Sequence, residues 1–122
     1  NDNELIEYIG QNKYLNLAGK TDVLELAEVF SRADVVLAPD SGSAHLAWAT
    51  QHPFVITIFT CTPKKYLEPP TGNCIAVTGN IPCQPCFKRK CRFGTNECTN
   101  LPSPEEIINI VNKVISNKYN VV

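Results

Sequence analysis

Short strand-like apolar runs alternating with helix-period segments predict an α/β fold, a parallel sheet with helices on both faces. Three observations carry this. Apolar runs recur at Ala33–Ala38, Phe54–Phe59 and Cys74–Thr78. Between and after them lie segments whose apolar residues repeat at helical spacing, opened by residues that cap helices. A Pro-Asp-Ser-Gly turn follows the first of these runs and opens a helix of small residues.

Element by element, Leu5, Ile6 and Ile9 predict a helix that ends near Gly10. Tyr14–Leu17 reads as a short strand before Gly19. Thr21 or Asp22 can cap a helix over 22–31, with Val23, Leu26, Ala27 and Phe30 facing inward. Residues 43–50 form the small-residue helix, and the Phe54–Phe59 strand leads into a Pro-punctuated loop. Residues 80–102 carry four cysteines and little periodicity. The last helix, over 104–117, has Ser103 as its cap, Pro104 in the first turn and Glu106 three residues on. Its apolar face is Ile107, Ile108, Val111, Val114 and Ile115.

The 122 residues, 43% of them apolar, suit one domain with an ordinary core. A net charge of −1 argues against nucleic acid as a partner. No apolar run is long enough to span a bilayer, and there is no basic-then-apolar leader, so a cytoplasmic, reducing setting is expected. The chain lacks Met and is expected to be a piece of something longer. Charge is uneven: residues 1–50 hold three cations and eight acids, residues 51–100 six cations and two acids. Lys64, Lys65, Lys88, Arg89, Lys90 and Arg92 supply the positive excess, either a solvated loop or a patch facing a phosphate or acidic partner.

The chemistry concentrates in Asp40-Ser41-Gly42-Ser43-Ala44-His45. In open α/β sheets ligands sit beyond the carboxyl ends of the strands. Gly42 allows close backbone approach, and the N–H groups of Ser43, Ala44 and His45 at the helix start are expected to face a phosphate or diphosphate. His45 leans back toward the same anion, and the Ser41 and Ser43 hydroxyls add donors. Asp40 is expected to accept from loop N–H groups or a ribose hydroxyl and hold the turn. A hydrolase triad of Asp40, Ser41 and His45 is disfavoured, because three members within six residues do not easily converge and no G-x-S-x-G elbow exists.

Cys83, Cys86, Cys91 and Cys98 follow C-x2-C-x4-C-x6-C, a spacing suited to a tetrahedral thiolate site for zinc or iron. The loop that carries them has too little apolar material to offset its own ordering entropy. The four are expected to converge on one structural metal, with Cys61 and Cys74 as core or loop thiols.

Leu17-Ala18-Gly19-Lys20-Thr21, Leu24–Ala27, Ala33-Asp34-Val35-Val36 and Asp40–Ala47 together resemble glycosyltransferase family 9, the ADP-heptose:lipopolysaccharide heptosyltransferases. The Pro53–Phe59 strand, the loop ending at Pro69-Pro70 and the run Cys83–Cys91 fit the same family, so the resemblance covers most of 15–117. It implies a Rossmann-like domain, residues 1–122, that is the carboxyl-terminal, nucleotide-sugar-binding half of a two-domain GT-B enzyme. It assigns Asp40, Ser41, Gly42, Ser43 and His45 to the diphosphate region of an ADP-sugar and places Thr21 near the adenine. The family's catalytic base is an aspartate of the amino-terminal domain, so no catalytic residue is expected here and the fragment alone is expected to be inactive. Glu4 or Glu7 is a stand-in for the acid that meets the ribose. The implied partners are an ADP-sugar donor and a lipopolysaccharide-core or protein acceptor, with peripheral membrane contact of the full enzyme. Catalysis is expected to need no cofactor. Members that modify autotransporter proteins imply iron at the cysteine cluster, while the spacing alone leaves zinc or iron open. The alternative function is a metal-stabilised binding module without transferase activity.

Overall fold

The computed structural model describes residues 14–66 and 72–119. The helix expected over 5–9, together with Glu4 and Glu7, lies outside these. In chain order the elements are α1 (Val23–Ser31), β1 (Val35–Pro39), α2 (Gly42–Ala49), β2 (Phe54–Phe59), β3 (Cys74–Thr78) and α3 (Pro104–Tyr119). Short 3₁₀ turns lie at Lys64–Tyr66 and Glu97–Thr99.

The three strands form one parallel sheet in the order β1-β2-β3. Val36 lies opposite Val55, and Val55 opposite Cys74, so successive rows run straight across the sheet. On one face Val36, Ala38, Val55 and Phe59 meet Ala44 and Ala47 of α2. Both alanines are fully buried, which explains the helix's small residues: they let its backbone settle close on the sheet. Ile56, on the opposite face, is equally buried. The central strand is therefore covered on both sides, and each such aliphatic or aromatic side chain stabilises the fold by about 1.5–3 kcal/mol. The last helix packs against β1 with Ile107 buried.

Helix starts follow their cap chemistry. Asp22, rather than Thr21, caps α1 in a reciprocal box with Glu25, at 2.8 and 2.9 Å. Ser103 and Glu106 form the same box at α3, at 2.7 and 3.2 Å. On α1, Leu26, Ala27 and Phe30 are half-buried while Val23 in the first turn is exposed. On α3, Ile107, Val111 and Val114 make the inward stripe, leaving Ile108 and Ile115 exposed at its flank.

One expected strand does not form. At Tyr14–Leu17 the Ala18 N–H is taken by the Asn16 side chain at 2.9 Å, and the Lys20 N–H closes a turn onto the Leu17 carbonyl at 3.0 Å. Leu15 is 81% exposed. Local side-chain bonding to the backbone has displaced the ladder.

Candidate functional site

The ladder between β1 and β2 continues one residue beyond β1, where the Asp40 N–H donates to the Ile58 carbonyl at 3.1 Å. Ser41, in extended backbone, caps α2, which starts at Gly42. The Ser41 hydroxyl does not bond the helix end; it lies 3.3 Å from the Pro39 carbonyl and 2.7 Å from the Ser43 hydroxyl. The Ser41–Ser43 pair therefore sits beside the helix start.

The backbone donors differ from expectation. Ala44 and His45 turn their N–H groups back on the Ser41 carbonyl, at 3.1 and 3.5 Å. The helix closes its first turn on itself, so the amides left without an acceptor among the described residues are those of Gly42 and Ser43. A Cβ placed on Gly42 would meet no atom within 4 Å, so the space beside its Cα is open. His45, two residues beyond Ser43, is exposed.

Asp40 also finds a partner that local sequence does not indicate. Its Oδ2 accepts from the Thr62 hydroxyl, 22 residues away in the loop after β2. The carboxylate is thus held by the neighbouring strand's loop rather than by its own N–H groups. Thr21 immediately precedes the α1 cap, is half-buried and makes no hydrogen bond to the Asp40–His45 segment.

Beyond the same end of β2 lies a cavity of about 550 Å³ lined by Cys83, Cys86, Cys91 and Cys98, and also by Cys61. The cysteine loop is anchored to this strand end: the Gln84 side-chain amide donates to the Thr60 carbonyl at 2.6 Å, and the Phe87 N–H to the Cys61 carbonyl at 2.8 Å. Lys88, Arg89 and Arg92 line the cavity too. The backbone N–H groups of Asn96 and Phe93, then those of Gly94 and Thr95, lower the Cys91 thiol against the opposing effect of burial. Burial raises the Cys98 thiol, and charge on Cys61, then Cys86, Cys83 and Cys91, pushes the same way. Among the described residues, which include all six cysteines, no three His, Cys, Asp or Glu side chains form a group that could hold a metal ion, so Cys83, Cys86, Cys91 and Cys98 line one cavity without converging on one point as expected. Cys74 sits on β3 against the core and does not line the cavity.

Two residues therefore join this end of the sheet beyond the expected set: Thr62, which the sequence did not single out, and Cys61, which was expected only as a core or loop thiol. The signal available was position: both directly follow an apolar strand, where α/β proteins place functional loops.

Among the described residues no helix is long and apolar enough to cross a membrane. The profile of glycosyltransferase family 9 (heptosyltransferase) matches residues 2–96. Over 40 residues the chain is 45% identical to the lipopolysaccharide core heptosyltransferase OpsX of Haemophilus influenzae, a stretch that makes up 33% of this chain and 12% of that protein. No solved structure gives a significant match. The family profile spans well over half of the sequence and includes the whole sheet and the Asp40 loop, and on that ground the chain belongs to glycosyltransferase family 9.

Proposed function

We propose that this domain binds the ADP-sugar donor of a heptosyltransferase with two GT-B halves, of which it is the carboxyl-terminal one. The observation that carries the reading is the Asp40–His45 loop: two unengaged backbone amides, open space over Gly42 and a serine pair at a helix start, in a chain of this family. A diphosphate suits that surface, because peptide N–H groups and the helix dipole favour an anion there. Asp40, engaged by Thr62, holds the turn rather than facing the phosphates.

In the reaction, an acceptor hydroxyl on a lipopolysaccharide core or a protein attacks the anomeric carbon of the heptose. The bond from that carbon to the diphosphate oxygen breaks, and ADP leaves with the electron pair. The hydroxyl proton passes to a base on the other half of the enzyme. Charge grows on the departing diphosphate, and fixed donors aimed there stabilise the transition state without reorganising. Gly42 and Ser43 N–H, the serine hydroxyls and His45 are the donors this chain offers.

The cysteine loop is read as a structural metal site. The chemistry of the lining supports this reading, with thiols on one cavity, amides directed at the Cys91 sulfur and three cations to balance thiolate charge, and binding a soft or borderline ion would require the thiols to close up from the positions they hold here. Cys83, Cys86, Cys91 and Cys98 would hold zinc or iron, which would supply folding energy to the loop and no step of the transfer.

Calorimetric titration with ADP tests the donor reading. Binding that His45→Ala weakens supports it. Absence of ADP binding by the enzyme carrying this domain would leave the metal-stabilised binding module as the better reading.

A further inference from the structure

Three cations line the cavity beyond β2, Lys88, Arg89 and Arg92, against one carboxylate, that of Glu97. All three are exposed, and no carboxylate pairs with any of them among the described residues. The thiols in the same walls do not come together, so in this arrangement no compact thiolate centre matches that charge. A concave surface with such an excess of one sign attracts an anion.

The cations are also held over the strand end. Lys88 and Arg89 directly follow Phe87, whose N–H bonds the Cys61 carbonyl, and the Gln84 side chain ties the preceding turn to Thr60. The Arg92 guanidinium carbon lies 4.6 Å from the centre of the Phe93 ring. Stacking occupies the flat face of the guanidinium and leaves its edge N–H donors free, which is how arginine grips a phosphoryl or carboxylate group with two parallel bonds. The Phe93 ring is itself 60% exposed and gives the cavity an apolar wall. At about 550 Å³ the space has the size of a small-molecule pocket, which suits a sugar ring and its substituent better than a stretch of peptide.

Position narrows what the anion belongs to. Thr60 and Cys61 line the cavity, and the next residue, Thr62, is bonded to Asp40. Yet no residue of the Asp40–His45 loop lines the cavity. An anion here is therefore a neighbour of the donor diphosphate rather than the diphosphate itself, and the other reactant of a transferase is its acceptor.

We propose that the cavity is a subsite for an anionic acceptor saccharide, in which Lys88, Arg89 and Arg92 take a phosphoryl or carboxylate group of the acceptor and set its sugar beside the donor loop. This rests on the reading of the Asp40 loop as the donor site, and no thiol takes part in it.

The test is calorimetric titration of the enzyme carrying this domain with glucose 6-phosphate, glucuronate, glucose and inorganic phosphate, and separately with ADP. The double variant Arg89→Gln with Arg92→Gln is compared with the parent. Lys113→Gln, which removes an exposed cation from α3, is the control, and circular dichroism checks folding. The expected result is that the parent binds a charged sugar and not glucose, with glucose 6-phosphate against glucuronate telling which anionic group fits. The double variant should bind that sugar about tenfold more weakly, the loss of one charge-assisted hydrogen bond, with ADP affinity unchanged. Lys113→Gln should match the parent. A parent that binds neither charged sugar, or a folded double variant that binds them as the parent does, would overturn the inference. So would inorganic phosphate bound as tightly as either sugar, which would mean an adventitious ion only. An equal loss of ADP affinity in the double variant would move the cations to the donor site and overturn it too, as would a hexaglutamate peptide that binds more tightly than either sugar. A parent that binds a charged sugar but no ADP would overturn the donor reading alone, because the two affinities are measured apart.

Discussion

Replacing Thr62 by Val keeps the side chain's shape and removes one hydroxyl, the donor to Asp40 Oδ2. A hydrogen bond to a charged group contributes about 1.5–3 kcal/mol, and loss of one partner costs most where the other cannot reach water. Both residues are half-buried, so solvent reaches the carboxylate in part and the low end, about 1.5 kcal/mol, applies. For a domain of this size that lowers Tm by about 5–9 °C. Because Asp40 precedes the Ser41 cap of α2, loosening it also loosens the two amides proposed to face the donor. ADP affinity should fall about tenfold, equivalent to about 1.4 kcal/mol. Thr78→Val, which removes an exposed hydroxyl bond to Asn80 away from this loop, is the control. A double-mutant cycle with Asp40→Ala isolates the pair. The reasoning is refuted if the cycle is additive within about 0.5 kcal/mol, or if Thr62→Val binds ADP as the parent does.

Gly42→Ala should fold as well as the parent, since its Cβ would meet nothing within 4 Å, and yet bind ADP more weakly by calorimetry if the diphosphate comes to the loop as proposed. His45→Ala removes a donor worth about 1.5–3 kcal/mol if charge-assisted, or about 10–150-fold in ADP affinity, and equal affinities would remove His45 from the site. Thr57→Val should raise stability by about 1 kcal/mol in urea denaturation, because the Thr57 hydroxyl is buried without a partner among the described residues. In metal-stripped protein near about pH 8, iodoacetamide should label Cys91 before Cys98, because only thiolate reacts. The amides around Cys91 favour its thiolate, whereas burial and neighbouring charge disfavour that of Cys98. Peptide mapping of a time course reads the order.

What could be read from the chain was local. The β2 run Phe54–Phe59 and the β3 run Cys74–Thr78 form as their apolar patterns indicate, because a strand inside a parallel sheet needs little beyond apolar content and length. The Asp22–Glu25 and Ser103–Glu106 boxes form because each is complete within four residues. Tyr14–Leu17 misled because its apolar content suits a strand while Asn16 and Gly19 supply turn chemistry. At the candidate site the loop's place was legible, since it follows a strand and opens a helix. Which amides remain unengaged was not, because that depends on how tightly the first turn of α2 closes. The Thr62–Asp40 bond and the place of Cys61 join segments that only the parallel register brings together.

Amide hydrogen exchange in the enzyme carrying this domain, with and without saturating ADP, addresses the donor reading most directly. The Gly42 and Ser43 amides have no acceptor among the described residues, so they should exchange fast alone and slow markedly when a diphosphate takes them. Segments around α3 should be unchanged. Slowing confined to the cysteine loop at 83–98, or no slowing at Gly42 and Ser43 while ADP is bound, would contradict the assignment of this loop to the donor diphosphate.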